Sequence, residues 1–354
     1  MLFVLSNELL TASSDVQKTK VERAVKYIAT AVFESKHLLS GSLEVLGYFK
    51  EIFCADSDLY SLFSTLENNF YSTSFDFITR KVEMVIDVSI PKRIEEDIEI
   101  FQVSVDDFQD SARCQKTIVL GEDFNDCNFF NYILNWYLKR LNFNIHCEFD
   151  KDNGGGVNIQ KSINNHLKNN KILFSIIDTD RRYPNGPVGK TYEECKKYIN
   201  KEKGIFKLIA LDVQEIENLM PFNFLDNKVY SGEHAAKKVK FDLLRLHNPN
   251  LLQYFDIKKG IKKEKAEEDI LYKNFAKECC NCDSEIVDFE VHYGQIANGD
   301  YVYPPFSRIL NLIEEDLKQK IDCVDLLDFQ EQNWIKIAQN MINFTCARNK
   351  EALN

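Results

Sequence analysis

Apolar residues follow two different spacings along the chain, and the change between them divides it into three parts. In the first part they recur every three or four positions, which predicts helices over 21–33, about 42–53 and 59–70. Shorter alternating segments near 83–104 fit strands. We therefore predict a mostly helical N-terminal domain at residues 1–113.

The middle of the chain alternates short apolar runs with helical stretches. The runs predict strands at 117–120, 143–149, 172–177 and 205–211, and the stretches between them predict helices at 126–141, 157–168 and 191–202. Strands separated by helices of about ten or more residues pair in parallel, as in α/β sheets. We assign this parallel-sheet domain to residues 114–225, and ligands of such sheets bind at the carboxyl ends of the strands.

Helical spacing returns in the last part of the chain. It predicts helices near 232–246, 262–277, 306–320 and 326–346. We assign a helical C-terminal domain to residues 226–354. The predicted fold class is therefore α/β, with a central parallel-sheet domain flanked by mostly helical N- and C-terminal domains.

The composition indicates an intracellular globular protein. Of 354 residues, 44% are hydrophobic and 28% are charged, which is enough for a substantial core. The 10 cysteines lack the spacing of a disulfide framework, which favours a reducing compartment. The apolar opening 1–5 lacks a basic segment, and no apolar stretch reaches the roughly 18 residues that span a bilayer. We expect a cytoplasmic protein without membrane contact.

Charge and cysteine spacing argue against two further classes of protein. The net charge of −11 does not suit a protein that coats nucleic acid nonspecifically, because phosphate binding needs clustered Lys and Arg. A nuclease stays open, since a basic patch can be local. Cys279 and Cys282 form a C-x-x-C without a second pair, so we expect ordinary reduced cysteines there and no zinc site.

Two aspartates, Asp178 and Asp180, stand one residue apart where the third predicted strand of the middle domain ends. A buried strand that ends this way aims two carboxylates from a rigid edge into one small volume. Such an arrangement is costly unless a divalent cation neutralises the charges, and Mg²⁺ or Mn²⁺ prefers oxygen ligands of this kind. The pair therefore predicts a metal site.

Three more features of the middle domain fall where strands end. Glu122 follows the first strand, and Asp126 comes four residues later near a helix start. Glu215 and Glu217 follow the fourth strand. The second strand is followed by three glycines that let backbone approach a ligand closely, Gly154, Gly155 and Gly156.

The order and spacing of these features resembles the TOPRIM domain, the metal-binding module of topoisomerases, primases and OLD-family nucleases. The family pattern is a strand ending in Glu with a second acid four residues on, a glycine turn, a strand ending in Asp-x-Asp, and a further acidic pair. The run from Glu215 to Asn218 is similar to the OLD-type and stand-alone TOPRIM proteins of bacterial defence systems. The resemblance covers roughly a third of the chain, residues 114–225 of 354.

The resemblance implies a nuclease that uses bound Mg²⁺ or Mn²⁺ to polarise a phosphodiester and activate water. It assigns the catalytic and metal-binding role to four carboxylates, Glu122, Asp126, Asp178 and Asp180. Glu215 and Glu217 would complete a second metal position, and Glu122 would double as general base. The groups available to hold substrate phosphates are the glycine triplet, Arg181, Arg182 and Lys190.

One position departs from the family pattern, because glycine precedes the first glutamate and does not follow it. Glu122 is preferred as the match because it keeps the four-residue step to Asp126, whereas Leu120 cannot act as an acid. Structural roles compete at these positions as well. Asp126 could cap a helix, and Glu215 with Glu217 could form a solvated first helical turn.

The resemblance implies cleavage of DNA or RNA in bacterial anti-phage defence. The sequence has no G-x-x-x-x-G-K-[ST] phosphate loop, so ATP dependence would have to come from a partner ATPase or another defence protein. Two other functions stay open: a metal-dependent phosphatase or transferase that uses Asp-x-Asp, and a non-catalytic TOPRIM-like sensor or scaffold. The sequence also leaves open whether the substrate is DNA or RNA and whether the protein is an oligomer.

Overall fold

Mixed α/β structure extends through the computed structural model, which describes residues 1–142, 145–199, 205–225, 233–305, 318 and 324–349. The helices are Asp15–Phe33 (α1), Leu43–Ile52 (α2), Ser57–Asn68 (α3), Phe124–Arg140 (α4), Ile159–Lys168 (α5), Lys190–Ile199 (α6), Glu233–His247 (α7), Lys263–Glu267 (α8), Ile270–Asn281 (α9), Phe289–Gln295 (α10) and Asp328–Thr345 (α11). The strands are Leu2–Leu5 (β1), Leu38–Gly41 (β2), Arg80–Val85 (β3), Lys92–Glu95 (β4), Ile98–Ser104 (β5), Thr117–Gly121 (β6), His146–Cys147 (β7), Phe149–Asn153 (β8), Leu173–Ile177 (β9), Phe206–Ala210 (β10), Ile261–Lys262 (β11), Tyr301–Tyr303 (β12) and Cys346–Ala347 (β13).

The N-terminal region is built around a five-stranded sheet with the order β2-β1-β3-β5-β4. Only β4 runs antiparallel to its neighbour, and the other pairs are parallel. The helices predicted in this region agree with α1, α2 and α3. The strands predicted near 83–104 agree with β3 and β5, whereas the expectation of a mostly helical domain missed β1 and β2, which are only four residues long.

The central sheet has four strands, all parallel, in the order β10-β9-β6-β8. This confirms the predicted parallel α/β sheet in the middle of the chain. The first strand, β6, has the second strand β8 on one side and the third strand β9 on the other, so the chain order reverses at β6. In open α/β sheets ligands bind outside the carboxyl ends of the strands at such a reversal. The strand predicted at 143–149 is displaced, since β8 begins only at Phe149.

Helices cover both faces of the central sheet. All five residues of β9 are buried, as expected of a strand enclosed on two sides. On one face α5 and α6 pack on an apolar cluster that includes Ile163, Leu173 and Cys195. On the other face α4 packs against α11, where Trp136 meets Trp334 with ring centroids 5.2 Å apart.

The last described helix, α11, joins parts that are distant in sequence. The indole N–H of Trp334 donates to the carbonyl of Leu219 at 2.8 Å. Asn343 on the same helix accepts from the backbone N–H of Thr79 at 2.9 Å, next to β3. One continuous cluster of buried apolar residues runs from Met1 to Cys346. The central sheet is therefore held between the N-terminal region and the C-terminal helix.

The described C-terminal residues are helices with two short strand pairs. The segment predicted as one helix at 262–277 is divided into α8 and α9, whereas α7 and α11 agree with the helices predicted near 232–246 and 326–346. The helix predicted at 306–320 lies outside the described residues apart from Lys318. Among the helices that the structure describes, none has the length and apolar character needed to cross a membrane.

Candidate functional site

The first acidic loop follows β6 and leads into α4. Asp123 caps this helix: its carboxylate accepts from the backbone N–H groups of Asn125 at 2.6 Å and Asp126 at 3.2 Å. Asp126 completes a capping box, because its carboxylate accepts from the N–H of Asp123 at 2.9 Å. The capping role considered for Asp126 is therefore realised. Glu122 lies between β6 and this cap and is half-buried.

The glycine triplet packs against this first loop. The N–H of Gly154 donates to the carbonyl of Gly121 at 2.9 Å, and the N–H of Gly156 donates to the carbonyl of Glu122 at 3.1 Å. A Cβ at Gly154 would lie 2.5 Å from a side-chain carbon of Ile159, closer than real atoms approach. Only glycine therefore allows the two loops to meet here, and the triplet fixes the backbone that carries Glu122.

The second acidic loop follows β9. The hydroxyl of Thr179 donates to the carbonyl of Val213 at 2.6 Å, and the N–H of Asp180 donates to the carbonyl of Gln214 at 2.9 Å. Both bonds join this loop to the loop after β10. Asp180 has a φ of 53°, a left-handed conformation that is uncommon for a non-glycine residue. Its carboxylate fills the space beside Gly189, where a Cβ would lie only 2.3 Å from the Asp180 Oδ2.

The third acidic loop, after β10, contains Glu215 and Glu217 at the start of a 3₁₀ turn, Ile216–Leu219. Both glutamates are buried, so the alternative of a solvated first helical turn does not describe them. Asn218 holds the turn in place: its amide donates to the carbonyls of Leu252 at 2.6 Å and Phe255 at 2.8 Å. These bonds draw the segment just before Lys258 against the acidic turn.

Lys258 reaches the acids from this neighbouring segment. Its Nζ lies 2.7 Å from Glu217 Oε1 and 3.7 Å from Glu215 Oε2. Its backbone N–H also donates to Glu215 at 3.1 Å. The second carboxylate oxygen of Glu217, Oε2, is buried and has no hydrogen-bond partner among the residues that the structure describes. Lys258 therefore pairs with two buried carboxylates, and the Oε2 of Glu217 is left without a partner among the described residues.

Electrostatics connect the three loops. Burial raises the pKa of Asp178 well above its ordinary value, and the charges of Glu122, Asp126 and Glu217 raise it further. Burial also raises the pKa of Asp126, to about 7, and the nearby charges of Glu122 and Glu217 contribute. The pKa of Glu122 is raised by burial and by Asp180. The carboxylates of separate loops therefore lie close enough to repel one another.

The carboxylates of the three loops are called the acidic group below: Glu122, Asp126, Asp178, Asp180, Glu215 and Glu217. Within this group Glu215 lies near Glu217, and Asp256 adds a further carboxylate beside it. Burial, followed by the charges of Glu217 and Asp256, raises its pKa to about 8. Burial disfavours the charge of Lys258, but Glu217 and Glu215 outweigh this effect and raise the pKa of its ammonium group. Lys258 is accordingly held in its charged form between the acids.

The basic residues predicted to hold phosphate lie in different places. Arg182 stands over the ring of Tyr272, 5.6 Å from its centroid, in a cleft of about 550 Å³ that Asp180 also lines. The Nε of Arg181 is buried without a hydrogen-bond partner in the described part of the chain, and the charge of Arg181 opposes the raised pKa of Tyr254. Lys190 is 89% exposed at the start of α6 and lies 3.6 Å from Glu194, so it is not part of the acidic group.

The donor chemistry of the acidic group fits a hard divalent cation. Its groups are carboxylate oxygens, their charges repel one another, and the buried Glu217 Oε2 has no partner. In the part of the chain that the structure describes, no three His, Cys, Asp or Glu side chains are placed to hold a metal ion together. The acids are therefore neighbours of suitable chemistry without an assembled coordination shell.

Sequence reasoning did not identify Lys258, Asp256 or the positioning role of Asn218. Lys258 belongs to a lysine-rich stretch that is ordinary on a protein surface, and no local pattern distinguishes it from Lys259. Its place in the site depends on the tertiary hydrogen bonds of Asn218. The only available signal was Asn218 itself, as the fourth residue of the Glu-Ile-Glu-Asn run.

Comparison of the chain with protein-family models, curated proteins and solved structures found no match. The resemblance to the TOPRIM domain therefore rests on the order of the acidic and glycine residues along the chain.

Proposed function

We propose that the protein is a metal-dependent nuclease that hydrolyses DNA or RNA phosphodiesters at a TOPRIM-like acidic centre. The observation that carries the proposal is the meeting of three strand-end loops, in which the charges of Glu122, Asp126 and Glu217 all raise the pKa of Asp178. The loops meet beside β6, where the order of the central strands reverses. Carboxylates kept close together despite mutual repulsion are typical of functional sites.

In this proposal Glu122, Asp178 and Asp180 hold Mg²⁺ or Mn²⁺, with Glu217 as a further oxygen donor through its unpaired Oε2. The bound cation would supply charge for the phosphodiester and lower the pKa of a water molecule. Glu215 is the weakest member of the predicted ligand set, because its carboxylate accepts from the backbone of Lys258 and faces Asp256.

In this proposal Asp126 transfers a proton and Lys258 supplies a positive charge. Asp126, with a pKa of about 7, can hold or release a proton near neutral pH, which suits general acid or base work beside Glu122. Lys258 neutralises Glu217 and presents a charged ammonium group at the edge of the acids. A positively charged donor in this place would stabilise negative charge on a transferring phosphate.

The resemblance also supports a role in anti-phage defence together with a partner ATPase or another defence protein. No described contact bears on this part of the proposal. It is separate from the chemistry, because a nuclease centre would work in the same way in another pathway.

The test is cleavage of labelled single-stranded DNA, duplex DNA and RNA by the purified protein with Mg²⁺, Mn²⁺ or EDTA. We expect cleavage of at least one polymer with metal, none with EDTA, and loss of cleavage in Asp178→Ala. Asp150→Ala is the matched control, since Asp150 is an exposed aspartate on β8 whose removal should leave cleavage unchanged. Circular dichroism would show that both variants fold.

Three results would count against the proposal. Full cleavage by Asp178→Ala would remove the acidic centre from the mechanism. Release of phosphate from small esters without cleavage of any polymer would favour the phosphatase or transferase reading. Binding of a partner without either activity would favour a non-catalytic scaffold.

A further inference from the structure

A second cavity lies on the N-terminal part of the molecule and shares no lining residue with the acidic centre. It has a volume of about 560 Å³, within the usual range for small-molecule sites. Its walls come from β2, the end of α3 with the loop that follows, and the strand pair β7–β13. The residues that give it its apolar character include Leu38, Leu66, Phe70, Phe75, Phe77 and Ile145.

These apolar side chains are only partly covered. The six residues are half-buried and pack on the edge of the main core. Aromatic and aliphatic groups left partly open in a concave surface favour an apolar ligand, because covering them removes apolar area from water.

Arg348 is the one arginine or lysine among the described residues that line this cavity, and the other basic residue there, His146, lies 3.3 Å from Glu148, which is outside the lining. Among the described residues that line the cavity, Arg348 and His146 are basic and none is acidic, although the chain has 55 Asp and Glu residues. The Nη1 of Arg348 is buried, and no hydrogen-bond partner for it is found among the described residues. Burial lowers the pKa of the guanidinium, and no carboxylate in the described part of the chain opposes this effect. A charged guanidinium nitrogen that is buried without a partner is costly even when the rest of the side chain is half-buried, and an anion would relieve the cost.

The position of Arg348 is fixed by its backbone. Its N–H donates to the carbonyl of His37 at 3.2 Å, and the preceding residue, Ala347, pairs with His146 across β13 and β7. These are main-chain bonds that any residue other than proline can make at position 348. The side chain can therefore be changed without removing the contacts that hold this strand.

We propose that the cavity binds a small organic acid whose apolar chain or ring lies on the aromatic wall and whose carboxylate pairs with Arg348. Arg–carboxylate pairs in partly buried surroundings are strong because both groups are charged and the geometry can be bidentate. The site is independent of the proposed nuclease centre and does not require that function.

The test uses octanoate and 1-octanol, which share an apolar chain and differ in the charged head group. Isothermal titration and thermal unfolding of the full chain at neutral pH would measure binding. We expect octanoate to raise the unfolding temperature and to bind about tenfold or more tightly than octanol. Arg348→Gln should lower octanoate affinity to that of octanol and leave octanol binding unchanged.

Two further variants separate this site from nonspecific binding. Arg23→Gln removes an exposed arginine on α1 and should leave both affinities unchanged. Thr73→Trp places a large ring at an exposed position on the cavity wall and should weaken both ligands. Equal binding of octanoate and octanol by the natural chain, no binding of either, or undiminished octanoate binding by Arg348→Gln or Thr73→Trp would overturn the proposal.

Discussion

The two larger sheets among the described residues are both mainly parallel, yet different kinds of side chain stand at the carboxyl ends of their strands. In the N-terminal sheet, Ser6 follows β1, Ser42 follows β2 and Ser104 ends β5, and the hydroxyl of each accepts from a nearby backbone N–H. Ser42 after β2 accepts from the N–H of Val45 at 3.3 Å and donates to Asn7 at 2.6 Å. Ser104 at the end of β5 accepts from Asp106 at 3.2 Å and donates to Ile86 at 2.8 Å. These ends are closed by hydrogen bonds.

In the central sheet the corresponding positions carry carboxylates. Glu122 follows β6, Asp178 follows β9, and Glu217 lies in the loop after β10. Their pairwise repulsion, and the buried Glu217 oxygen without a partner, are unfavourable for stability. The hydrogen bonds at the first edge fit a structural role, whereas the repulsion at the second edge, which Lys258 offsets only in part, is what the proposed cation would relieve. Parallel topology alone does not distinguish the two edges.

The largest expected effect on this contrast comes from Lys258→Gln. The substitution removes the ammonium group that pairs with Glu217 and Glu215 and that is proposed to stabilise negative charge on the transferring phosphate. Metal-dependent cleavage should therefore fall by about 100-fold. Cleavage rates at saturating metal would measure it. Lys262→Gln, in the same lysine-rich stretch but on β11, is the control and should cleave normally. Equal rates for the two variants would remove Lys258 from the proposed mechanism.

The second expected effect is a dependence of stability on pH that arises from His37 in the N-terminal region. His37 is fully buried, and burial together with the nearby N-terminal charge lowers its pKa below the usual 6.5. As the pH falls, the unfolded chain therefore takes up a proton before the folded chain does. The stabilisation is present above about pH 6.5 and is lost below it, by up to about 1.4 kcal/mol per pH unit.

Urea unfolding at several pH values between 5 and 8 would measure this slope. His37→Gln should remove it while keeping a side chain that can bond to the carbonyl of Gln115. His247→Gln, which changes an exposed histidine, should leave the slope as it is. If the natural chain and His37→Gln lose stability in parallel below pH 6.5, the slope does not come from His37.

The contrast also shows what sequence can predict. The central sheet was predictable because its strands are apolar runs separated by helices, and a parallel sheet gathers its strand ends at one edge. That reasoning named Glu122, Asp178 and Glu217, which the structure places close together. The shorter strands β1 and β2 were missed, because a strand of four residues is too short to show a period. Lys258 was missed for a different reason, since its position depends on contacts distant in sequence.

The smallest expected effects are two changes in the free energy of unfolding, one at each sheet edge, and we expect them to have opposite signs. Ser42→Ala removes a helix cap at the N-terminal edge, and the free energy of unfolding should fall by about 1 kcal/mol. Asp178→Asn in metal-free protein removes an ionisable carboxyl group whose pKa is raised because burial and the neighbouring carboxylates disfavour its charged form. At neutral pH this substitution should raise the free energy of unfolding.

Denaturant unfolding in EDTA would measure both variants, and added Mg²⁺ would supply the decisive comparison. A ligand that binds only the folded state stabilises it, so Mg²⁺ should stabilise the natural chain more than Asp178→Asn and should not distinguish the natural chain from Ser42→Ala. A loss of stability in metal-free Asp178→Asn would mean that the carboxylate makes favourable contacts within the protein. The central edge would then be closed in the same way as the N-terminal one, and its repulsion would no longer point to a cation.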